Sequence, residues 1–251
     1  MPTLTILGSG SSYGVPAPGC TCLVCRQGFQ PNSKQYRTRS SVLIENQGKN
    51  LLIDLSPDFR EQALKNNISC VDACLITHGH ADSIMGLQDL RSYSQEKEIP
   101  VFASPETIQG IQKMFYYMFD AKKNAHISRI TLHEFSKPFS LHGLKIAPIE
   151  VIHPPLSTAG FRIQDLAHIP DIKTLSEKSK PLLEGIKTLI VGATGDESYY
   201  SHQSIFEAIA LARELKAEKT FFTHIGHRID HIKPALPSGM QLAFDGLKIE
   251  F

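Results

Sequence analysis

The chain has almost no charge imbalance. Its 26 lysines and arginines against 25 aspartates and glutamates leave a net charge of +1 at pH 7. That removes the general electrostatic argument for a nucleic-acid or membrane-surface protein, leaving only a local basic patch open. Long apolar runs are also missing: no stretch approaches the ~20 residues that a membrane span needs, so no membrane partner is expected. The first residues, Met1-Pro2-Thr3-Leu4-Thr5-Ile6-Leu7, carry neither a basic n-region nor a small-residue cleavage site. They read as a first strand, and a cytoplasmic location is the expectation. Cysteine is sparse and odd in number, five in 251 residues. Clustered as they are, and with no export signal, the thiols suggest metal binding or free cysteines rather than disulfides. What the chain does have is 41% apolar residues, ample for a buried core. The length suits one large domain or two small ones; with no obvious linker or repeat, the reading is one domain, residues 1–251, with a Cys-rich loop at about 16–31.

A pass along the chain alternates short apolar runs with helical periodicity, which argues for a layered α/β domain. Strands are expected at 3–7, 41–45, 50–54, 71–76, 100–103, 130–135, 144–151, 160–163, 188–191 and 219–222, with a last one near the end. Helices are expected at 57–66, 83–91, 105–118 and 204–215. Gly8 to Pro16 is turn-rich, but no Lys-Ser/Thr follows and no helix opens, so it is not read as a phosphate-binding loop.

One stretch stands apart: Leu75-Ile76-Thr77-His78-Gly79-His80-Ala81-Asp82-Ser83. Two histidines and an aspartate, spaced i, i+2, i+4, leave the end of a strand just before a helix, the edge where ligands bind in open α/β folds. Imidazoles and a carboxylate are the donors that zinc and similar ions take. Three further places put His or Asp beside the end of an apolar run: His153, Asp165 and His224. Asp171 and His168 lie close enough to Asp165 to compete, and read as surface loop residues.

The stretch resembles the His-x-His-x-Asp-His signature of the metallo-β-lactamase superfamily, with Ser83 in place of the final histidine. The resemblance implies a four-layer αββα sandwich holding one or two divalent ions, zinc or manganese. It implies that His78, His80 and His153 bind one ion, that Asp82 and His224 bind a second, and that Asp165 bridges. It also implies that Asp54 orients a ligand histidine. A serine hydroxyl is a poor zinc ligand at neutral pH, so the second site is expected to be weakened, empty or completed by water or substrate. Ser83 also reads simply as a helix N-terminal residue.

Cys20, Cys22 and Cys25 form C-x-C-x-x-C in a Gly/Pro-rich loop. A structural zinc wants four ligands, and His227, three residues after His224, is the natural fourth. A redox thiol group is the alternative, while Cys70 and Cys74 read as small buried thiols. The Cys3His arrangement, with Gly14-Val15-Pro16, Gln35-Tyr36-Arg37 and Leu236-Pro237-Ser238-Gly239, resembles the cyclic phosphodiesterases of the phosphonate-degradation pathway. That resemblance implies hydrolysis of a small cyclic phosphodiester, with His202 as general acid and Asp82 in the catalytic centre, and a homodimer. Arg37 and Arg39, with Lys34, read either as neutralising a substrate phosphate or as a solvated basic loop. The rivals are a tRNase Z-like nuclease, which would need a basic arm, a thioesterase or glyoxalase-type hydrolase, and a non-catalytic relative that keeps the fold.

Overall fold

A computed structural model describes residues 1–119, 129–232 and 235–251. The first half of the chain contains β1 (Thr3–Gly8), α1 (Leu23–Gly28), β2 (Ser41–Asn46), β3 (Lys49–Ile53), α2 (Phe59–Lys65), β4 (Ala73–Leu75) and α3 (Ala81–Ile84). A 3-10 stretch, Met85–Ser92, follows α3, and then β5 (Ile99–Ala103), α4 (Pro105–Met114), α5 (Tyr116–Phe119) and β6 (Ile130–Glu134). The second half contains β7 (Phe139–Leu141), β8 (Leu144–His153), β9 (Leu156–Ile163), β10 (Leu166–Ile169), β11 (Thr174–Leu175), β12 (Thr188–Gly192), α6 (Ile205–Glu214), β13 (Lys219–Thr223), β14 (Met240–Leu242) and β15 (Lys248–Glu250).

The strands form two mixed sheets, in the orders β15-β1-β2-β3-β4-β5-β6 and β11-β8-β9-β10-β12-β13-β14, with β7 added beside β8. Side-chain alternation explains the layering. On β3, Leu51 and Ile53 point into a core shared with Phe161, Ile163 and Ile190 of the other sheet. Leu52, between them, points the opposite way, against Phe59, Leu87 and Ile111 of the flanking helical segments. On β12, Ile190 joins the core between the sheets, whereas Leu189 and Val191 face Ala208 and Leu211 of α6. Helix, sheet, sheet, helix is the αββα sandwich that the family resemblance implied.

The local chemistry of the elements is ordinary and informative. Helix α4 opens on Ser104, whose side chain accepts from Thr107 N–H, with Pro105 in the first turn, as proline's fixed φ favours. Helix α6 opens on a full capping box between Ser204 and Glu207. The expected helix at 83–91 begins earlier, at Ala81, and becomes a 3-10 helix from Met85. Strand β10 was not expected at all. It pairs antiparallel with β9 through a two-residue turn, Ile163 opposite Leu166, and runs parallel to β12. That pairing decides the geometry of the site.

Candidate metal centre

Parallel strands put their C-terminal ends on one edge, and the polar residues collect there. Strand β4 ends at Leu75, and Thr77, His78, His80 and Asp82 follow on the turn into α3 and its first residues. Strand β8 ends at His153. Strands β10, β12 and β13 run in register, Ile169 beside Val191 and Gly192 beside Thr223, so Asp171 and His224 emerge side by side. The β10 end lies close on β12 because residue 192 is glycine: a Cβ there would come within 1.9 Å of the Pro170 carbonyl oxygen.

His78, His80 and His153 bring one ring nitrogen each within 4.8 Å of one another, and Asp82, Asp171 and His224 bring a carboxylate oxygen each and a ring nitrogen equally close. A third group, His153, Asp171 and His202, overlaps both. His202 stands over the junction, its ring 4.6 Å from that of His153 and 4.9 Å from that of His224.

Asp165 is a correction. It sits in the β9–β10 turn, at the opposite edge of the sheet, pairs with Lys187 at 2.8 Å and is 48% exposed in its side chain. The converging carboxylate is Asp171, 4% exposed, whose Oδ1 lies 3.1 Å from His224 Nε2. The run Leu166-Ala167-His168-Ile169 before Pro170-Asp171 was the signal for it: a short strand with a potential ligand just past its end, as at His78 and His224. His168 is fully buried on that strand, and neither of its ring nitrogens has a hydrogen-bond partner.

The histidines are held from behind. Asp54 accepts hydrogen bonds from Thr77 N–H (2.8 Å) and Thr77 Oγ1 (2.9 Å), and Thr77 Oγ1 lies 2.9 Å from His78 Nδ1. Asp54 therefore reaches His78 through the threonine hydroxyl, not directly. His153 Nδ1 is 2.7 Å from the Ser201 carbonyl oxygen and so must carry the proton, leaving Nε2 free to ligate. His224 Nδ1 is 3.2 Å from Thr194 Oγ1. Asp54 and His224 both have positive φ, 61° and 53°, a backbone strain of about 1 kcal/mol or more at each that a surrounding structure must hold.

The electrostatics call for positive charge in this pocket. Burial pushes His78 down to about 4, so its imidazole is neutral and able to ligate. Burial also lowers His153. His224 behaves oppositely: burial works against its charge, yet Asp171 and Asp82 lift it to about 10. Burial would raise Asp171, but the His224 charge holds it well below the carboxylate range. His224 Nε2 is close to both carboxylates, 3.1 and 3.5 Å, yet makes no well-aligned hydrogen bond to either. Ligands about 2.1 Å from a tetrahedral ion stand about 3.4 Å apart, so these separations fit a shared cation. His78 Nε2 and His80 Nδ1 lie 2.8 Å apart, a hydrogen-bond separation shorter than that spacing. The donor set and its directions fit divalent metal.

A second cluster lies beyond His224. Cys20 Sγ and Cys22 Sγ are 3.1 and 3.5 Å from His227 Nδ1, and these three with Cys25 Sγ lie within 4.8 Å of one another. A sulfur and a nitrogen on one tetrahedral zinc stand about 3.6 Å apart, so this group fits too. Burial opposes ionisation of Cys22, but donors from Cys25 N–H and His227 bring it down to about 6; burial pushes Cys25 up to about 11.

The basic residues are engaged elsewhere. Arg37 is 1% exposed and donates to the carbonyl oxygens of Gly226 (3.3 Å) and Ile229 (3.1 Å) and to Gln35 Oε1 (2.9 Å). The expectation that it meets a substrate phosphate is corrected: it is an internal tie on the loop that carries His227. Arg39 pairs with Asp58 at 2.8 Å and donates to the Ser12 carbonyl oxygen. Lys34 Nζ lies 4.2 Å from the centre of the Phe244 ring.

Residues 49–225 match the β-lactamase superfamily domain, more than half of the chain, and the chain belongs to that superfamily. Within it, the likeness to a diphosphatase of the PhnP family runs end to end. The two are 36% identical and superpose with a TM-score of 0.92, covering 100% of this chain and 98% of that one. An octanoyltransferase of Porphyromonas gingivalis (strain ATCC BAA-308 / W83) is 33% identical over 251 residues, 97% of this chain and 50% of its own length. The chain thus spans about half the length of that relative. Zn2+-bound PqqB from Methylobacterium extorquens, 20% identical, shares the fold with a TM-score of 0.80 over 99% of this chain and 100% of that one.

Proposed function

We propose that this protein is a metal-dependent phosphodiesterase acting on a small, cyclic phosphodiester. The observation that carries the reading is the convergence of His78, His80, His153, Asp82, Asp171 and His224 beneath the ring of His202. Zinc or manganese held by those six would supply Lewis acidity and a water of lowered pKa. The chain's own part is then definable. His78, His80 and His153 present ring nitrogens, in directions set for His78 by Thr77 and for His153 by the Ser201 carbonyl. Asp82 and Asp171 supply negative charge on the other side. His202 belongs to neither of the two groups and meets them only through His153 and Asp171, which leaves it as the group over the junction rather than a ligand of either half.

His202 is the group to protonate a leaving alkoxide. In the free protein burial, reinforced by the His224 charge, pushes it down to about 3. The negative charge of a phosphodiester arriving at the ring opposes both effects. Cys20, Cys22, Cys25 and His227 would hold a structural zinc, and through it the N-terminal loop would be clipped to the strand end carrying His224.

The test is hydrolysis of a cyclic and a linear phosphodiester by zinc- or manganese-loaded protein, with His78→Ala as control. We expect turnover that the control lacks and that favours the cyclic ester. In His202→Ala the loss should be large for a poor leaving group and small for an activated aryl ester. Undiminished turnover of the poor-leaving-group ester by that variant refutes the role of His202; equal turnover by wild type and His78→Ala refutes the metal reading. The P. gingivalis relative supports a division of labour within a longer chain: its octanoyl transfer would belong to the half that this chain does not match.

A further inference from the structure

The two halves of the centre are built from different donors. One half is three imidazoles, His78, His80 and His153; the other is two carboxylates and one imidazole, Asp82, Asp171 and His224. Imidazole suits zinc, whereas carboxylate-rich sites suit magnesium and manganese. Residue 83 could have supplied a second imidazole to the carboxylate half, but it is serine, 3% exposed. Its Oγ does not turn to that half: it lies 3.4 Å from His78 Nδ1, an atom already served by Thr77 Oγ1 at 2.9 Å. Among the described residues no other His, Cys, Asp or Glu completes the group of Asp82, Asp171 and His224. His202 groups instead with His153 and Asp171, and His153 has its one free nitrogen committed to the first half.

We propose that the centre is asymmetric, with a zinc-selective triple-histidine half that holds its ion tightly and an open, oxygen-rich half that takes Mn2+ weakly and exchangeably because Ser83 donates nothing to it. This rests on the metal-dependent reading above. It makes occupancy of the second half, and with it activity, follow the free concentration of a hard divalent ion.

The experiment counts ions rather than turnover. Metal-free protein is titrated with Zn2+ by calorimetry and with Mn2+ by electron paramagnetic resonance, in wild type, His78→Ala, Asp171→Asn, Ser83→His and Ser83→Ala. The Cys20–Cys22–Cys25–His227 group contributes equally to all five and cancels in the differences. We expect a tight zinc lost only in His78→Ala and a weak manganese lost in Asp171→Asn. Ser83→His should tighten the second ion by about 10- to 100-fold, at least the effect of an outer-shell partner. Ser83→Ala, the safer variant for folding, should leave both ions unchanged. Two ions of equal affinity in wild type would overturn the proposal, as would a marked loss in Ser83→Ala or a folded Ser83→His with an unchanged second ion. If neither His78→Ala nor Asp171→Asn changes the ion count, the metal-dependent reading itself fails.

Discussion

Replacing Arg37 with methionine separates two accounts of the same residue. As a substrate contact, its loss would raise KM and leave the fold alone. As an internal tie, its loss should unfold the protein more readily and leave KM alone. The guanidinium makes three hydrogen bonds, to Gly226 O, Ile229 O and Gln35 Oε1, at 1% exposure. Burial already costs it, pushing it down to about 10, with Asp245 and Asp230 opposing. Methionine fills most of the volume but strands two carbonyls and an amide oxygen. At about 1 kcal/mol or more for each stranded acceptor, the expected loss is about 2–4 kcal/mol. At an m-value of about 2–3 kcal/mol/M the urea midpoint should fall by about 1 M. The chain has no tryptophan, so far-UV circular dichroism is the probe of choice. Because Arg37 holds both carbonyls of the loop around His227, zinc retained by the cysteine group should fall in the same variant. A midpoint within 0.2 M of wild type (about 0.5 kcal/mol) together with a tenfold rise in KM (about 1.4 kcal/mol) would refute the structural account.

Thr77→Val keeps the shape but cuts the link from Asp54 to His78; affinity for the ion held by His78 should drop about 10- to 100-fold, read by competition with a chromogenic chelator, and an unchanged affinity would remove Asp54 from the centre. The capping box of α6 predicts an acid-side effect. Burial opposes it, but Ser204 N–H, Lys173 and Ser198 bring Glu207 down to about 2 from 4.5. Its contribution is therefore complete above about pH 4.5, declines as pH falls, and is gone below about pH 2. The group is 39% exposed, so solvent screening keeps the effect small. The gap in urea midpoint between wild type and Glu207→Gln should shrink from pH 5 to pH 3, and a constant gap would refute the shift.

Much of the architecture was legible because the chain obeys simple periods. Leu51, Leu52 and Ile53 alternate between two cores, Ser104-Pro105 and Ser204-x-x-Glu207 announce helix starts, and the histidines sit where strands end. The miss at Asp165 has one cause. Leu166-Ala167-His168-Ile169 is four residues long, and its polar member, His168, is buried between the sheets rather than exposed; period-2 reasoning takes a histidine there as a break in the pattern. With β10 unseen, residues 164–171 looked like one loop, and either aspartate could have faced the histidines. Once β10 is laid parallel to β12, the choice follows from direction alone: a residue before a parallel strand and a residue after it stand on opposite edges of the sheet. Gln164 and Asp165 form the hairpin turn at the far edge, with φ 55° at Gln164. Asp171 then stands at the ligand edge beside His224. Arg37 failed differently. A basic run reads as solvated until the chain folds over it, and only the tertiary contact with the Gly226–Ile229 loop, 189 and 192 residues away in sequence, turns a candidate phosphate clamp into part of the interior. Local pattern therefore locates candidate ligands that sit at the ends of regular elements, while residues whose role depends on a distant loop require the fold.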